Sequence, residues 1–415
     1  MRTRSFSVVA AVALIMAAGC AQLTRSQIIP TNALELALKH KSGVVETVLY
    51  SFGTHGLDGA WPRAGLIDVK GTLYGTTFTG GTHRRGRVCG QNDGCGTVFS
   101  ITTSGSEKVT YGLFAGGPRG ANPAAGLINV NGRLYGTTAY GGANECPDTG
   151  WGCGTVFSVT TTGTEKVLHR FNGSNGEFPQ AGLIYVNGTF YGTTAVGGAS
   201  AYGTVFSIMP TGTYHLLYSF AGGHDGDYPD AGLTNVGGKL YGTTSGGGKY
   251  GRGTVFSITT SGSEKMLHAF TLSDGNNPEA GLIYVKGKLY GTTIEGGHSQ
   301  GTVFSITTTG TEKVLYRFAG GSDGAQPSAD LVNDNGTLYG TTENGGGTSC
   351  GCGTVFSITT AGAETVLHSF TGGSTADGAY PEAGLIYLDG TLYGTTASGG
   401  SYGDGTVFTI TGPRL

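Results

Sequence analysis

The stretch that decides the fold is Val314–Gly353, VLYRFAGGSDGAQPSADLVNDNGTLYGTTENGGGTSCGCG, with the TVFSITTAG that follows it. Four short apolar phrases can be lifted from it: VLYRF, ADLV, YGTT and GTVF. Each occurs seven times. The first recurs as VLYSF at Val48–Phe52 and as relatives at 167, 216, 266 and 366, with VTYGLF at 109 as a variant. AGLI stands at 64, 125, 181, 280 and 383, altered to AGLT at 231 and ADLV at 329. YGTT begins at Tyr74, Tyr135, Tyr191, Tyr241, Tyr290, Tyr339 and Tyr393, and GTVF at Gly96, Gly154, Gly203, Gly253, Gly301, Gly353 and Gly405. Successive GTVF copies lie about 52 residues apart.

Each phrase is rich in Val, Ile, Phe, Tyr and Thr and is bounded by turn residues, which predicts a strand. Between AGLI and YGTT sit Asn131-Gly132, Asn187-Gly188, Asn335-Gly336 and Asp389-Gly390. Such pairs suit a two-residue hairpin, where both turn positions need positive φ. Thr-Gly or Ser-Gly turns join GTVF to the next VLYSF, as at Ser104-Gly105 and Thr309-Gly310. Four antiparallel strands per repeat, seven times over, predict an all-β, seven-bladed β-propeller. A parallel β-helix is the alternative, but its coils are shorter and lack two tight hairpins each. The repeat region opens on a lone VLYSF and ends on a blade without one, so Val44–Phe52 is expected to complete blade seven and close the ring. Within a blade AGLI is expected innermost and VLYSF outermost.

Outside the repeat, residues 1–20 form a targeting segment: Arg2 and Arg4, an apolar run Val8–Ala18, then Ala17-Ala18-Gly19-Cys20. This pattern is similar to a bacterial lipoprotein signal with Cys20 lipidated, plain secretion being the alternative. An outer-membrane lipoprotein, periplasmic or at the cell surface, is then expected, with the membrane met only through Cys20. Residues 21–43 read as a tether and 44–415 as the propeller. The net charge is −3 and only 12% of residues are charged, which excludes the basic stripe a nucleic-acid partner requires. Glycine (80 residues) and proline (12) make up about 22% of the chain. That share approaches low-complexity composition, but here the glycines recur at fixed offsets and mark turns. A monomer is expected.

Six cysteines follow the leader: Cys89, Cys95, Cys146, Cys153, Cys350 and Cys352. They fall in three local pairs, each ending just before a GTVF. An even count in an exported chain points to local disulfides, with metal binding as the alternative. No further His or Cys stands at ligand spacing, so no metal and no cofactor are expected.

Strand order puts the long, variable segments on one face: the YGTT–GTVF loops and the links into the next AGLI. Binding on a rigid ring is normally carried by such loops. The links follow F-x-G-G-x-D-G-x-x-P. Their Asp or Asn (58, 175, 225, 274, 323, 377) could be read as calcium ligands, but single acids favour a turn closed on its own backbone. Before the prolines stand Trp61, Phe178, Tyr228 and Tyr380, with Asn122, Asn277 and Gln326 in the other blades. After them stand Arg63, Gln180, Asp230, Glu279 and Glu382, with Ala124 and Ser328. Aromatic faces beside a polar ring suit a glycan or peptide, by stacking and hydrogen bonding. The competing reading is that the aromatics cap blade edges. His55, His83, His224 and His298 fall on loops, whereas His169, His268 and His368 replace the tyrosine of the outer strand and read as packing.

No H-E-x-x-H or P-loop sequence occurs, and no catalytic residue is assigned. The phrase LYGTT-x-x-GG … GTVFSITT-x-G-x-E-K-V-LYSF resembles the Gloeo/Verruco (GloVer) tandem-repeat family over about Val44–Thr411. The resemblance implies an exported propeller with varied anchors, and it carries no reaction, cofactor or catalytic residue. Quinoprotein repeats are only weakly similar, since Trp61 and Trp151 are the only tryptophans. A surface binding module for polysaccharide or protein is the expectation. The alternative is a glycan hydrolase or lyase using carboxylates at the channel mouth.

Overall fold

The computed structural model describes residues 43–413, apart from 54–56, 83–88, 90–93, 113, 143–145, 147–150 and 374–376. The leader with Cys20, the tether up to residue 42, and His55 and His83 lie outside the described residues.

Among the described residues the strands form seven four-stranded antiparallel sheets and one two-stranded sheet. Blade 3 is representative: Ile184–Val186, Thr189–Thr194, Thr204–Ile208 and Tyr214–Ser219, paired in that order. Blades 1, 2, 4, 5 and 6 repeat it, starting at Ile67, Ile128, Thr234, Ile283 and Val332. Blade 7 takes Ile386–Leu388, Thr391–Thr396 and Thr406–Thr411 from the C-terminal end. Its fourth strand is Val45–Ser51, paired antiparallel from Val45 opposite Thr411 to Ser51 opposite Thr406. The expected closure is therefore the one found. Asn131-Gly132, Asn187-Gly188 and Asp389-Gly390 take positive φ at both positions, as their hairpins require.

The inner strand is shorter than the AGLI phrase suggests. Only its last residue enters the ladder, as in Ile67–Val69, while the Ala-Gly part runs ahead of it beside the axis. The alanine carbonyl is used elsewhere. The first threonine of each YGTT donates across the seam to the alanine of the next blade: Thr76 to Ala125, Thr193 to Ala231, and Thr395 back round to Ala64. The second threonine bonds the first threonine of GTVF at 2.7–2.8 Å, as Thr77 does with Thr97 and Thr194 with Thr204. A buried hydroxyl needs a partner, and here every partner is scaffold.

The core lies between blades. The phenylalanine ending each outer strand meets the GTVF phenylalanine of the following blade edge-on, from Phe52–Phe99 at 5.0 Å round to Phe370–Phe408 at 5.1 Å. The GTVF glycine is forced twice over. Gly203 has φ 97, and a Cβ there would lie 2.4 Å from Cδ of Pro229 in the following link. The same proline packing recurs at Gly405 with Pro62, across the closure. Pairing between the segment before each pre-proline residue and the segment after YGTT, as Ala379 with Ser398, is a ladder the alternation pattern did not announce.

Candidate functional site

The residue before each link proline has φ between 54 and 58 in all seven blades: Trp61, Asn122, Phe178, Tyr228, Asn277, Gln326 and Tyr380. Left-handed backbone is uncommon outside glycine and asparagine, and disfavours bulky side chains. The surrounding hydrogen bonds hold it. The Tyr228 N–H donates to Tyr202 of the previous blade, and its carbonyl accepts from Ser245 of its own. Trp61 does the same between Asp404 and Phe78. Each such residue is thus an interblade clamp, and its proline turns the chain toward the axis.

Immediately after the prolines, Arg63, Gln180, Asp230, Glu279 and Glu382 come together with Ser328 around a cavity of about 140 Å³ lined by all seven blades. Asp330 lies deeper. It takes the place of the glycine found in the six other copies, and it accepts the Gly281 N–H at 2.5 Å. Its signal in the sequence was the single ADLV among AGL phrases. The four aromatics do not line the cavity. Trp61 and Tyr228 are about two-fifths exposed beside it. Phe178 instead packs edge-on against Tyr140, and Tyr380 packs on the core between blades 6 and 7.

The electrostatics are lopsided. Arg63 pairs with Glu382 at 3.2 Å and lies over the Trp61 and Phe78 rings at 5.6 and 5.2 Å. Carboxylates crowd the opposite arc. Glu279 reaches open water at the mouth yet has protein on most sides. Burial, then the fields of Asp230, Glu343, Glu295 and Glu382, push its carboxyl up to about 8. Burial lifts Glu343 to about 7, helped by Glu382 and opposed by Arg63. Asp230 is raised to about 6 by burial, against the Ser245 hydroxyl that donates to it at 2.7 Å. Glu382 is raised by burial and pulled back by Arg63. Asp330 touches the water of the bore, but the ring encloses it, and that burial raises it too.

A family model described as the Gloeobacter/Verrucomicrobia repeat matches residues 39–251 and 233–414. The chain belongs to this repeat family. No curated protein matches it. Among solved structures it is similar to a candidate 6-phosphogluconolactonase from Bacteroides uniformis (13% identity, 74% of this chain and 84% of that one, TM-score 0.45). Another such candidate, from Bacteroides fragilis, gives 18% identity, 78% and 88% coverage and TM-score 0.47. A puromycin hydrolase gives 10% identity, 80% and 50% coverage and TM-score 0.48. These likenesses are of fold alone.

In this Gloeobacter/Verrucomicrobia-repeat propeller the neighbours of the mouth that sequence reasoning passed over come from the two positions after YGTT. They are Phe78, Tyr140, Ser245, Glu295 and Glu343. Tyr140 continues outward to Trp151 at 5.7 Å, an indole half exposed. The signal was available, since those positions vary while the phrase before them does not. The link acids close turns on their own backbone, as Asp225 does on the Ala221 N–H and Asp377 on the Thr371 N–H. The three cysteine pairs are bonded locally, Cys89–Cys95, Cys146–Cys153 and Cys350–Cys352. The loop histidines His224 and His298 join no cluster of metal-ligating groups among the described residues.

Proposed function

We propose that this protein is an exported, lipid-anchored binding propeller that takes a polysaccharide across the mouth of its channel. One observation carries the reading. The pre-proline position has one backbone geometry in all seven blades, and asparagine fills it without difficulty at Asn122 and Asn277. Trp61 and Tyr228 nevertheless hold strained left-handed backbone there with rings open to solvent. Such strain costs about 1–3 kcal/mol per residue and is retained where function needs the side chain. The bore, at about 140 Å³, falls below the roughly 300–1,000 Å³ of small-molecule pockets. An extended ligand lying over the opening fits better than a compact one inside it. Exposed rings offer stacking faces for sugars, and the polar ring offers hydrogen bonds. A protein ligand at the same mouth is the other class the site suits.

A second reading is supported by the carboxyls. Glu279 holds its proton at neutral pH, while Glu382 sits against a guanidinium. A protonated acid beside a cation-paired carboxylate is the division of labour that glycan hydrolysis or elimination uses. A glycan array followed by turnover assays on every hit separates the two. Binding that survives Asp230→Asn, Glu279→Gln and Glu382→Gln, with no turnover by the parent, supports the binding module. Turnover abolished by Glu279→Gln supports the enzyme. An array without hits, or hits unaffected by Trp61→Ala and Tyr228→Ala together, refutes the mouth as a glycan site.

A further inference from the structure

The outer rim of each seam repeats a three-part arrangement. The aromatic of one blade's outer strand meets the acid of the link and the first residue of the next blade's outer strand. In three seams the parts are Tyr, Asp and Glu: Tyr50–Asp58–Glu107, Tyr218–Asp225–Glu264 and Tyr316–Asp323–Glu364. The tyrosine hydroxyl donates to the aspartate in each, at 2.8 and 2.7 Å in the first two. Where the link carries Arg119 instead, Glu165 faces that cation. Where it carries the neutral Asn175, Tyr214 replaces the glutamate and stacks on His169 at 4.0 Å. The charges at each seam thus vary together.

Two seams depart from this pattern. At blades 4 and 5 the parts are His268, Asp274 and Glu312, and at blades 6 and 7 they are His368, Asp377 and Glu46. In each, one atom from every residue lies within 4.8 Å of the others. The imidazole Nε2 stands 3.4 and 3.5 Å from an aspartate oxygen. Its partner there is that aspartate, and it is buried, as is Oε1 of Glu312 and of Glu46, which has no hydrogen-bond partner. The glutamate oxygen is equally unpartnered in the tyrosine seams, so the histidine is what sets these two apart. The aspartates are pre-oriented. The Thr271 N–H and hydroxyl donate to one oxygen of Asp274, and the other oxygen faces the histidine. Thr371 holds Asp377 in the same way.

We propose that these two seams, His268–Asp274–Glu312 and Glu46–His368–Asp377, each bind one divalent transition cation of the zinc class. One imidazole and two carboxylates are a first-row transition-metal donor set, with water able to complete the shell through the partly open rim. Two ligands about 2.1 Å from a tetrahedral ion stand roughly 3.4 Å apart, which is the observed His–Asp separation. Threonine donors fixing the non-ligating aspartate oxygen are the outer-shell support such sites use. At the second seam Glu46 lies on the strand that closes the ring, so an ion there ties that strand to blade 6.

The test uses untagged protein stripped with EDTA, titrated with zinc chloride and assayed for bound zinc after desalting. The parent should bind two ions. His268→Tyr and His368→Tyr should each bind one, and the double variant none. Tyrosine is the residue four of the other five seams carry, and in three of them it donates to the link aspartate, so these variants should form that bond and fold. Zinc should also slow proteolysis near residues 44–52 in the parent and not in His368→Tyr. The proposal is overturned by a parent that binds no zinc at tens of micromolar, or by a double variant that binds as much as the parent. Calcium chloride competing as well as zinc overturns it as well, since carboxylates alone would then be the site.

Discussion

At the seams carrying tyrosine the structure requires a proton to be kept. The Tyr218 hydroxyl has one hydrogen, and Asp225 takes it at 2.7 Å. Glu264 faces the same spot with a buried, unpartnered oxygen. Burial, and then the Asp225 charge, push its carboxyl from 4.5 to about 7. Glu107 and Glu364 are raised to about 7 by the same causes, with Asp58 and Asp323 in place of Asp225. A carboxyl whose folded pKa lies above its unfolded one binds its proton more tightly in the native state. Its contribution is complete below about 4.5 and is lost as pH rises through 7. A shift of this size corresponds to about 3 kcal/mol per group without screening. These side chains are partly open to solvent, so about 1 kcal/mol each is the realistic figure. Glutamine in place of all three should remove that pH dependence. Urea unfolding in EDTA at pH 5, 6, 7 and 8 measures it. From pH 5 to 8 the parent should lose about 1–2 kcal/mol more stability than the Glu107→Gln/Glu264→Gln/Glu364→Gln variant, since part of the contribution is already gone at pH 5. Parallel profiles for the two proteins would refute the shared-proton seam.

Phe52 is fully buried at the closure and meets Phe99 edge-on at 5.0 Å. Phe52→Ala should therefore destabilise by about 3–5 kcal/mol, and deleting residues 43–52 should leave blade 7 open to protease. An unchanged unfolding midpoint in the deletion would sink the closure scheme. Tyr228→Asn should leave stability unchanged or raise it by up to about 1 kcal/mol by relieving the backbone, while weakening glycan capture on the array; a large destabilisation would mean the ring is there for packing. Alkylation before and after reduction, read by mass spectrometry, should find Cys89, Cys95, Cys146, Cys153, Cys350 and Cys352 blocked only after reductant.

Much of the fold was legible because the repeat states it seven times. The Asn-Gly turns, the alternating strands and the unmatched VLYSF at Val48 together specify blade number, strand order and closure. The same redundancy hid what each phrase is for. YGTT carries its glycine because a Cβ at Gly192 would lie 2.7 Å from the Phe206 ring; its first threonine bolts the seam and its second ties two strands of one blade. The site was legible only in part. Arg63, Gln180, Asp230, Glu279 and Glu382 share one offset from proline, so periodicity placed them in one ring. Glu343, Tyr140 and Asp330 reach the same region from other phrases, where a departure from the repeat marks each position without saying what it faces.

By itself the sequence determined a closed ring of seven antiparallel blades, because hydrophobic alternation and turn chemistry are local properties repeated in register. Which side chains meet was left to the tertiary structure. Each seam joins residues about 50 positions apart, or more than 300 at the closure, and burial there decides which carboxyls keep a proton. Read along the chain, Glu46, His368 and Asp377 are unrelated positions. Only the closing of the ring brings them within 4.8 Å of one another.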